Sequence, residues 1–264
     1  MTNLNVAALR QVPSTLIHKV HGNRIQTNHF LEGFKDTYKD AYSGRHIISA
    51  SKYYAEQPLD ISWLSSAAQT YNISDDPKDY VIDPVPLVTV DFPNRNLQAF
   101  PFEEVTFFDP ILGRPVYSSF IGKPTHIDHE NKDPLQAKGV NLDAALVFVP
   151  EYNVWKIIVL SAFDRTKDPY LTKKILSGER NTYSMGALVE YFVCSACGTI
   201  DEGEHGNKCK HMLKANKGKI GKDGVIYYQR CIGANFIENS NVGDPADITA
   251  YGPDNPSELL SFND

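Results

Sequence analysis

The sequence predicts an α+β, β-rich fold: a barrel or sandwich of strands with one or two short helices. Three observations carry this expectation. From Leu87 onward the chain is dominated by β-branched and apolar runs bounded by Pro, Asn and Gly. Two of these runs are long and separated only by Pro150-Glu151-Tyr152-Asn153, the layout of a hairpin. Helical signals are few and short, so the regular strand–helix alternation of a parallel sheet is missing.

Taken in order, Leu59 to Tyr71 suits one short helix around Trp63 and Leu64, inside a polar stretch rich in Tyr, Asn and Ser. Pro84 and Pro86 mark a change of texture, and Leu87 to Phe92 then reads as a strand ended by Pro93-Asn94-Arg95-Asn96. Gly139 to Val149 and Val154 to Phe163 read as two largely buried strands. Asp168-Pro169 opens a helix, Tyr170 to Leu176, which Gly178 can end with a left-handed cap. Thr182 to Val193 reads as a further strand running straight into Cys194.

Composition narrows the function. With 264 residues, 42% of them hydrophobic, the chain can bury a sizeable core. Lys+Arg is 26 against Asp+Glu 32, and this net charge of −6 argues against a general nucleic-acid binder. The acid excess sits at one end: from Cys231 to Asp264 there are six acids and no Lys or Arg. No run approaches the ~18 apolar residues that cross a bilayer. The first residues also lack the basic-then-apolar layout of a signal peptide. A soluble, intracellular protein is expected, with no membrane and no nucleic acid among its partners.

Two segments offer groups for catalysis. Gly122 to Asn131 contains His126, Asp128, His129 and Glu130, a concentration of bases and metal ligands. On a regular strand His126 and His129 would face opposite sides. As a metallo-hydrolase motif, H-x-H-x-D-H, the segment fails at its first position, where Pro124 cannot ligate. The second segment is Asn181 to Ala187, where Ser184 precedes small residues whose amides (Met185, Gly186) could hold an oxyanion. A serine is a weak nucleophile until a base such as histidine takes its proton.

All four cysteines, Cys194, Cys197, Cys209 and Cys231, fall within 38 residues. In a reducing compartment such crowding points to metal, not disulfides. Cys194-x2-Cys197 followed by Cys209-Lys210-His211 has the spacing of a tetrahedral zinc site whose full ligand set makes it structural. His205 and Cys231 compete with His211 as the fourth ligand.

The ordered series of segments carries a resemblance. Pro93 to Asn96, Gly122-Lys123-Pro124, His129-Glu130-Asn131, Lys138-Gly139-Val140, Asp143-Ala144 and Val149-Pro150-Glu151 come first. Ile175 to Arg180, Ser184-Met185-Gly186, Cys194 to Gly198, Cys209-Lys210-His211, Phe236 to Ser240 and Asp244 to Asp247 follow. Together they resemble the head-maturation (prohead) serine proteases of tailed bacteriophages, relatives of the herpesvirus assembly proteases. The resemblance implies an assemblin-like β-barrel flanked by short helices, with a zinc-binding excursion at 194–211 after the nucleophile strand. It implies an endopeptidase that cleaves scaffold and major capsid precursor proteins, and itself, inside the prohead in the host cytoplasm. It places the nucleophile at Ser184 and the base at His129, with no cofactor needed for catalysis and a homo-oligomer possible. The third member varies in the family: Asp143 is the first choice, with Asp128, Asp133 and Asp164 open. The implied division is an extension of unknown role at 1–85, a protease domain at 86–247 and an acidic tail at 248–264. A non-catalytic capsid or scaffold component of the same fold is the rival reading.

Overall fold

The computed structural model describes residues 47–49, 63–149, 153–201, 208–222, 224–252 and 260–261. Its strands are β1 (Ile47–Ser49), β2 (Tyr80–Thr89), β3 (Gln98–Ala99), β4 (Phe108–Asp109), β5 (Arg114–Pro115), β6 (Pro124–Ile127) and β7 (Gly139–Val149). They continue with β8 (Val154–Asp164), β9 (Tyr183–Leu188), β10 (Tyr191–Cys194), β11 (Ile200–Asp201), β12 (Gln229–Ile232), β13 (Asn235–Asn241) and β14 (Leu260–Ser261). The helices are α1 (Leu64–Tyr71), α2 (Phe102–Thr106) and α3 (Pro169–Leu176). The fold is α+β and β-rich, built on one curled, half-barrel sheet.

That sheet runs β14–β2–β8–β7–β6–β13–β9, with β1 also pairing β7. The expected hairpin is β7 and β8, antiparallel from Gly139↔Phe163 to Val149↔Val154. Nearly every residue of β8 is buried, which is why it reads as a continuous apolar run instead of an alternating one. Val85, Leu87, Ala144, Leu146, Ile157 and Val159 form the centre of the core. Phe120 and Phe236 belong to the same cluster and stack on each other, with ring centroids 4.3 Å apart. Helix α3 starts where Asp168 accepts the Leu171 N–H at 2.9 Å and stops at Gly178, whose φ is +72°.

Three sequence expectations shift. The strand expected from Leu87 is β2, which begins at Tyr80 and passes through Pro84 and Pro86. Prolines two apart share one side of a strand, so a single side carries both missing donors. The apolar run 182–193 is two strands: β9 pairs β13, whereas β10 pairs β12 in a second sheet ordered β11–β10–β12–β3. Finally, β1 and β14 both join the main sheet, so its limits do not coincide with the implied division at 85 and 247. Of the helix expected from Leu59, Leu64–Tyr71 is helical; residues 59–62 lie outside the described ones.

The curl brings β9 back towards β2, where the buried Tyr183 hydroxyl donates to the buried Asp83 carboxylate. Burial pushes Asp83 from its ordinary 3.8 up to about 7, although the Tyr183 bond opposes the shift. The unfolded carboxyl loses its proton near pH 4, the folded one only near pH 7. Stability therefore falls as pH rises through that window, by roughly 4 kcal/mol in all. Asp83→Asn keeps a hydrogen-bond partner for Tyr183 and cannot ionise. Urea unfolding at about pH 4 and about pH 8 should show this slope in the parent chain and its loss in Asp83→Asn. Equal slopes would contradict the assignment.

Candidate active site and metal-binding cluster

The histidine segment is aimed by a turn. After β6, Ile127 to Glu130 closes with a Glu130 N–H to Ile127 carbonyl bond of 2.9 Å. Both central residues, Asp128 (φ +48°) and His129 (φ +60°), are left-handed, as in a type I′ turn. The strand alternation expected to separate His126 from His129 therefore ends at Ile127. His126 stays on β6, buried, and burial lowers its pKa and favours the neutral ring. His129 emerges with a half-exposed ring, and its backbone N–H donates to Ser240 Oγ at 3.2 Å.

The imidazole is held by a carboxylate. His129 Nδ1 lies 2.7 Å from Glu238 Oε1, and the Glu238 side chain is only 2% exposed. Glu238 Oε2 accepts from Ser240 Oγ at 2.6 Å. One hydroxyl thus ties the histidine backbone to the carboxylate that orients its ring. The Glu238 bond raises the His129 pKa against the opposing effect of burial. With Nδ1–H given to Glu238, Nε2 is the basic nitrogen.

Strand pairing places the serine beside this pair. Across β9 and β13, Ser184 stands opposite Ser240 and Gly186 opposite Glu238, so these four positions share one face. A Cβ on Gly186 would sit 2.5 Å from Glu238 Oε1, so the carboxylate occupies the space that a side chain there would need. Ser184, Met185, Gly186 and His129 line one cavity of about 640 Å³, closed on another side by Asn94, Arg95 and Gln98. Among the described residues no hydrogen bond joins Ser184 Oγ to the imidazole, a contact that catalytic pairs often tighten only with substrate.

Backbone direction alternates along β9. The Val242 N–H donates to Thr182 O, while the Tyr183 N–H turns the other way to Ala250 O. The same alternation puts the Met185 N–H on the edge away from β13 and turns the Gly186 N–H towards it. Of the two amides expected to hold an oxyanion, Met185 alone faces the open edge.

The expected third residue, Asp143, lies on β7 opposite Leu160, where its carboxylate accepts the Ala144 N–H at 2.8 Å. The carboxylate at His129 is Glu238 instead. The other three acids are also engaged elsewhere: Asp128 pairs Arg180 at 3.3 Å, Asp133 caps Leu135, and Asp164 accepts from Ser74 and Thr166. The sequence signals Glu238 and Ser240 only faintly, as an acid and a serine two apart just after the apolar Phe236-Ile237.

The far wall of the cavity is pinned from inside. Arg95 pairs Asp244 at the rim, and Asp247 accepts the Thr89 N–H at 2.6 Å beside the fully buried Lys156.

Away from this cavity, Cys194, Cys197, Cys209 and His211 present their ligand atoms within 4.8 Å of one another and can bind a metal ion. His211 Nδ1 is 3.7 Å from Cys194 Sγ and 3.8 Å from Cys209 Sγ. Ligands of one tetrahedral zinc, at about 2.3 Å for sulfur and 2.0–2.1 Å for nitrogen, stand about 3.5 Å apart, so the donor set fits. The Ala196 N–H points at Cys194 Sγ at 3.4 Å, and Gly198, at φ +71°, turns the chain back. Cys231 is not in the group: it is packed in the apolar core, where burial pushes its thiol up to about 12. His205 lies outside the described residues. Among the described residues no helix is long and apolar enough to cross a membrane. Comparison of the chain with family models, with curated proteins and with solved structures finds no match.

Proposed function

We propose that this chain is a serine endopeptidase of the prohead-maturation type, with His129, Ser184 and Glu238 as its catalytic unit. The observation that carries this reading is the buried Glu238 carboxylate holding His129 Nδ1 in a cavity shared with Ser184. His129 Nε2 takes the proton of Ser184 Oγ as the oxygen attacks the scissile carbonyl, then gives it to the leaving amine. Glu238 fixes the tautomer and stabilises the imidazolium that forms between these steps. Met185 supplies one amide towards the developing oxyanion. Water repeats the cycle on the acyl-enzyme and frees Ser184.

The half-barrel sheet supports an assemblin-like fold, and the order of sequence segments supports phage scaffold and capsid precursors as substrates inside the prohead. Co-expression with the capsid precursor tests this: intact chain should shorten the precursor, and Ser184→Ala should leave it at full mass. A precursor processed equally by both would favour a non-catalytic component that kept the fold.

The Cys194, Cys197, Cys209 and His211 cluster is proposed to hold one structural zinc. Four protein ligands leave no open position, so the ion would staple the excursion after β10 and leave peptide hydrolysis to the residues above. Purified protein should carry one zinc per chain, and Cys194→Ser should lose it with a fall in melting temperature of ~5–10 °C. Stoichiometric absence of zinc by elemental analysis would contradict the site.

A further inference from the structure

We propose that the lysine-rich excursion at residues 208–222 is a binding surface for single-stranded nucleic acid. The net charge that argues against a nucleic-acid binder averages over a strong local reversal. Lys208, Lys210, Lys214, Lys217, Lys219 and Lys222 fall in 15 residues that contain no acid, while the rest of the chain has 20 basic residues against 32 acidic ones. Five of the six are exposed, and none forms an ion pair with a described acid. An ordinary solvated face mixes its signs. Residues 208–222 carry one sign only, and a polyanion approaching an otherwise acidic chain would be steered to them.

The segment is also locked in shape. Asn216 Nδ2 donates to Lys210 O at 2.7 Å, and the Lys217 and Lys219 N–H groups bond Leu213 O and Asn216 O at 3.0 and 2.9 Å. A short ladder follows: the Gly218 N–H bonds Tyr227 O at 2.7 Å, and the Tyr227 N–H bonds Lys219 O at 2.9 Å. The backbone that carries these like charges is therefore fixed, and a chain of phosphates would offset their mutual repulsion. The aromatic ring separates nucleic acid from an acidic peptide. Tyr227 is half-buried beside Lys219, with its ring centroid 4.6 Å from that of His211. A nucleobase can stack on such a ring, whereas a carboxylate side chain gains nothing from it.

The test uses the purified full chain and a fluorescently labelled oligo-dT strand, read by anisotropy across a salt series. Binding should weaken with salt at a slope of log K on log salt of about −3, four to five phosphates at about 0.7 each. Replacing Lys214, Lys219 and Lys222 with Gln should make that slope shallower by about 2. Tyr227→Ala should cost roughly tenfold in affinity and leave the slope unchanged. The three lysines are exposed, so an unchanged melting temperature shows that the variant is folded. Salt-independent or absent binding would overturn the proposal, as would a triple variant that binds like the parent. Displacement of the strand by poly-glutamate as effective as by unlabelled oligo-dT would assign the surface to an acidic protein and overturn it too. The readout is binding alone, so it stands or falls separately from the catalytic reading and should be the same in Ser184→Ala.

Discussion

Ser184→Ala and His129→Ala should each lose nearly all turnover, and by similar amounts, about 10³–10⁶-fold in kcat. A nucleophile and its base act as one unit, so removing either removes the same step and the double variant should lose little more. Both side chains line the cavity and neither belongs to the main apolar core cluster, so both variants should fold. His126→Ala should be much milder in kcat, because that ring is buried on β6 and does not line the cavity. The comparison is made on precursor cleavage rates with folded protein. Retained processing by either Ser184→Ala or His129→Ala would break the pair.

Glu238→Gln should lower kcat by about 10²–10⁴-fold, since the buried partner sets the tautomer and stabilises the imidazolium. The pH profile separates this role from a structural one. The proposed mechanism needs neutral His129, and Glu238 raises its pKa, so the acid limb of kcat/KM should lie above the ordinary histidine value of 6.5. Removing the carboxylate charge makes the imidazolium easier to deprotonate, so the limb should move to lower pH in Glu238→Gln. Gly186→Ala approaches the same contact from the other side. Its Cβ would come 2.5 Å from Glu238 Oε1 and push the carboxylate away from the ring. A loss of about 10²-fold is expected, again with the limb shifted down. Asp143→Asn should leave the limb in place, because that carboxylate serves the Ala144 amide on β7. A shift with Asp143→Asn and none with Glu238→Gln would reverse the assignment.

What the sequence could and could not reveal follows from the range of each interaction. The β7–β8 hairpin and helix α3 were legible because their signals are local: two apolar runs around one turn, and an Asp-Pro start with a glycine stop. The cysteine cluster was legible from spacing, since Cys194, Cys197, Cys209 and His211 span 18 residues. The break between β9 and β10 was not, because the same apolar run serves two sheets and only the partners β13 and β12 tell them apart. Glu238 was hidden for the same reason. It lies 109 residues from His129 and is brought there by the parallel pairing of β13 with β6, which no local pattern encodes. Asp143, the first choice for the third role, lies on β7, whose pairing with β8 places that carboxylate elsewhere.

Activation of Ser184 by His129 and Glu238 can be measured without any peptide substrate. Incubation with a small fluorophosphonate, followed by peptide mapping by mass, should give a single adduct on Ser184. Its rate of formation should rise with pH along the His129 limb and fall by orders of magnitude in His129→Ala. Folded protein that gains no adduct on Ser184, or gains it equally fast without His129, would show that the histidine does not activate the serine.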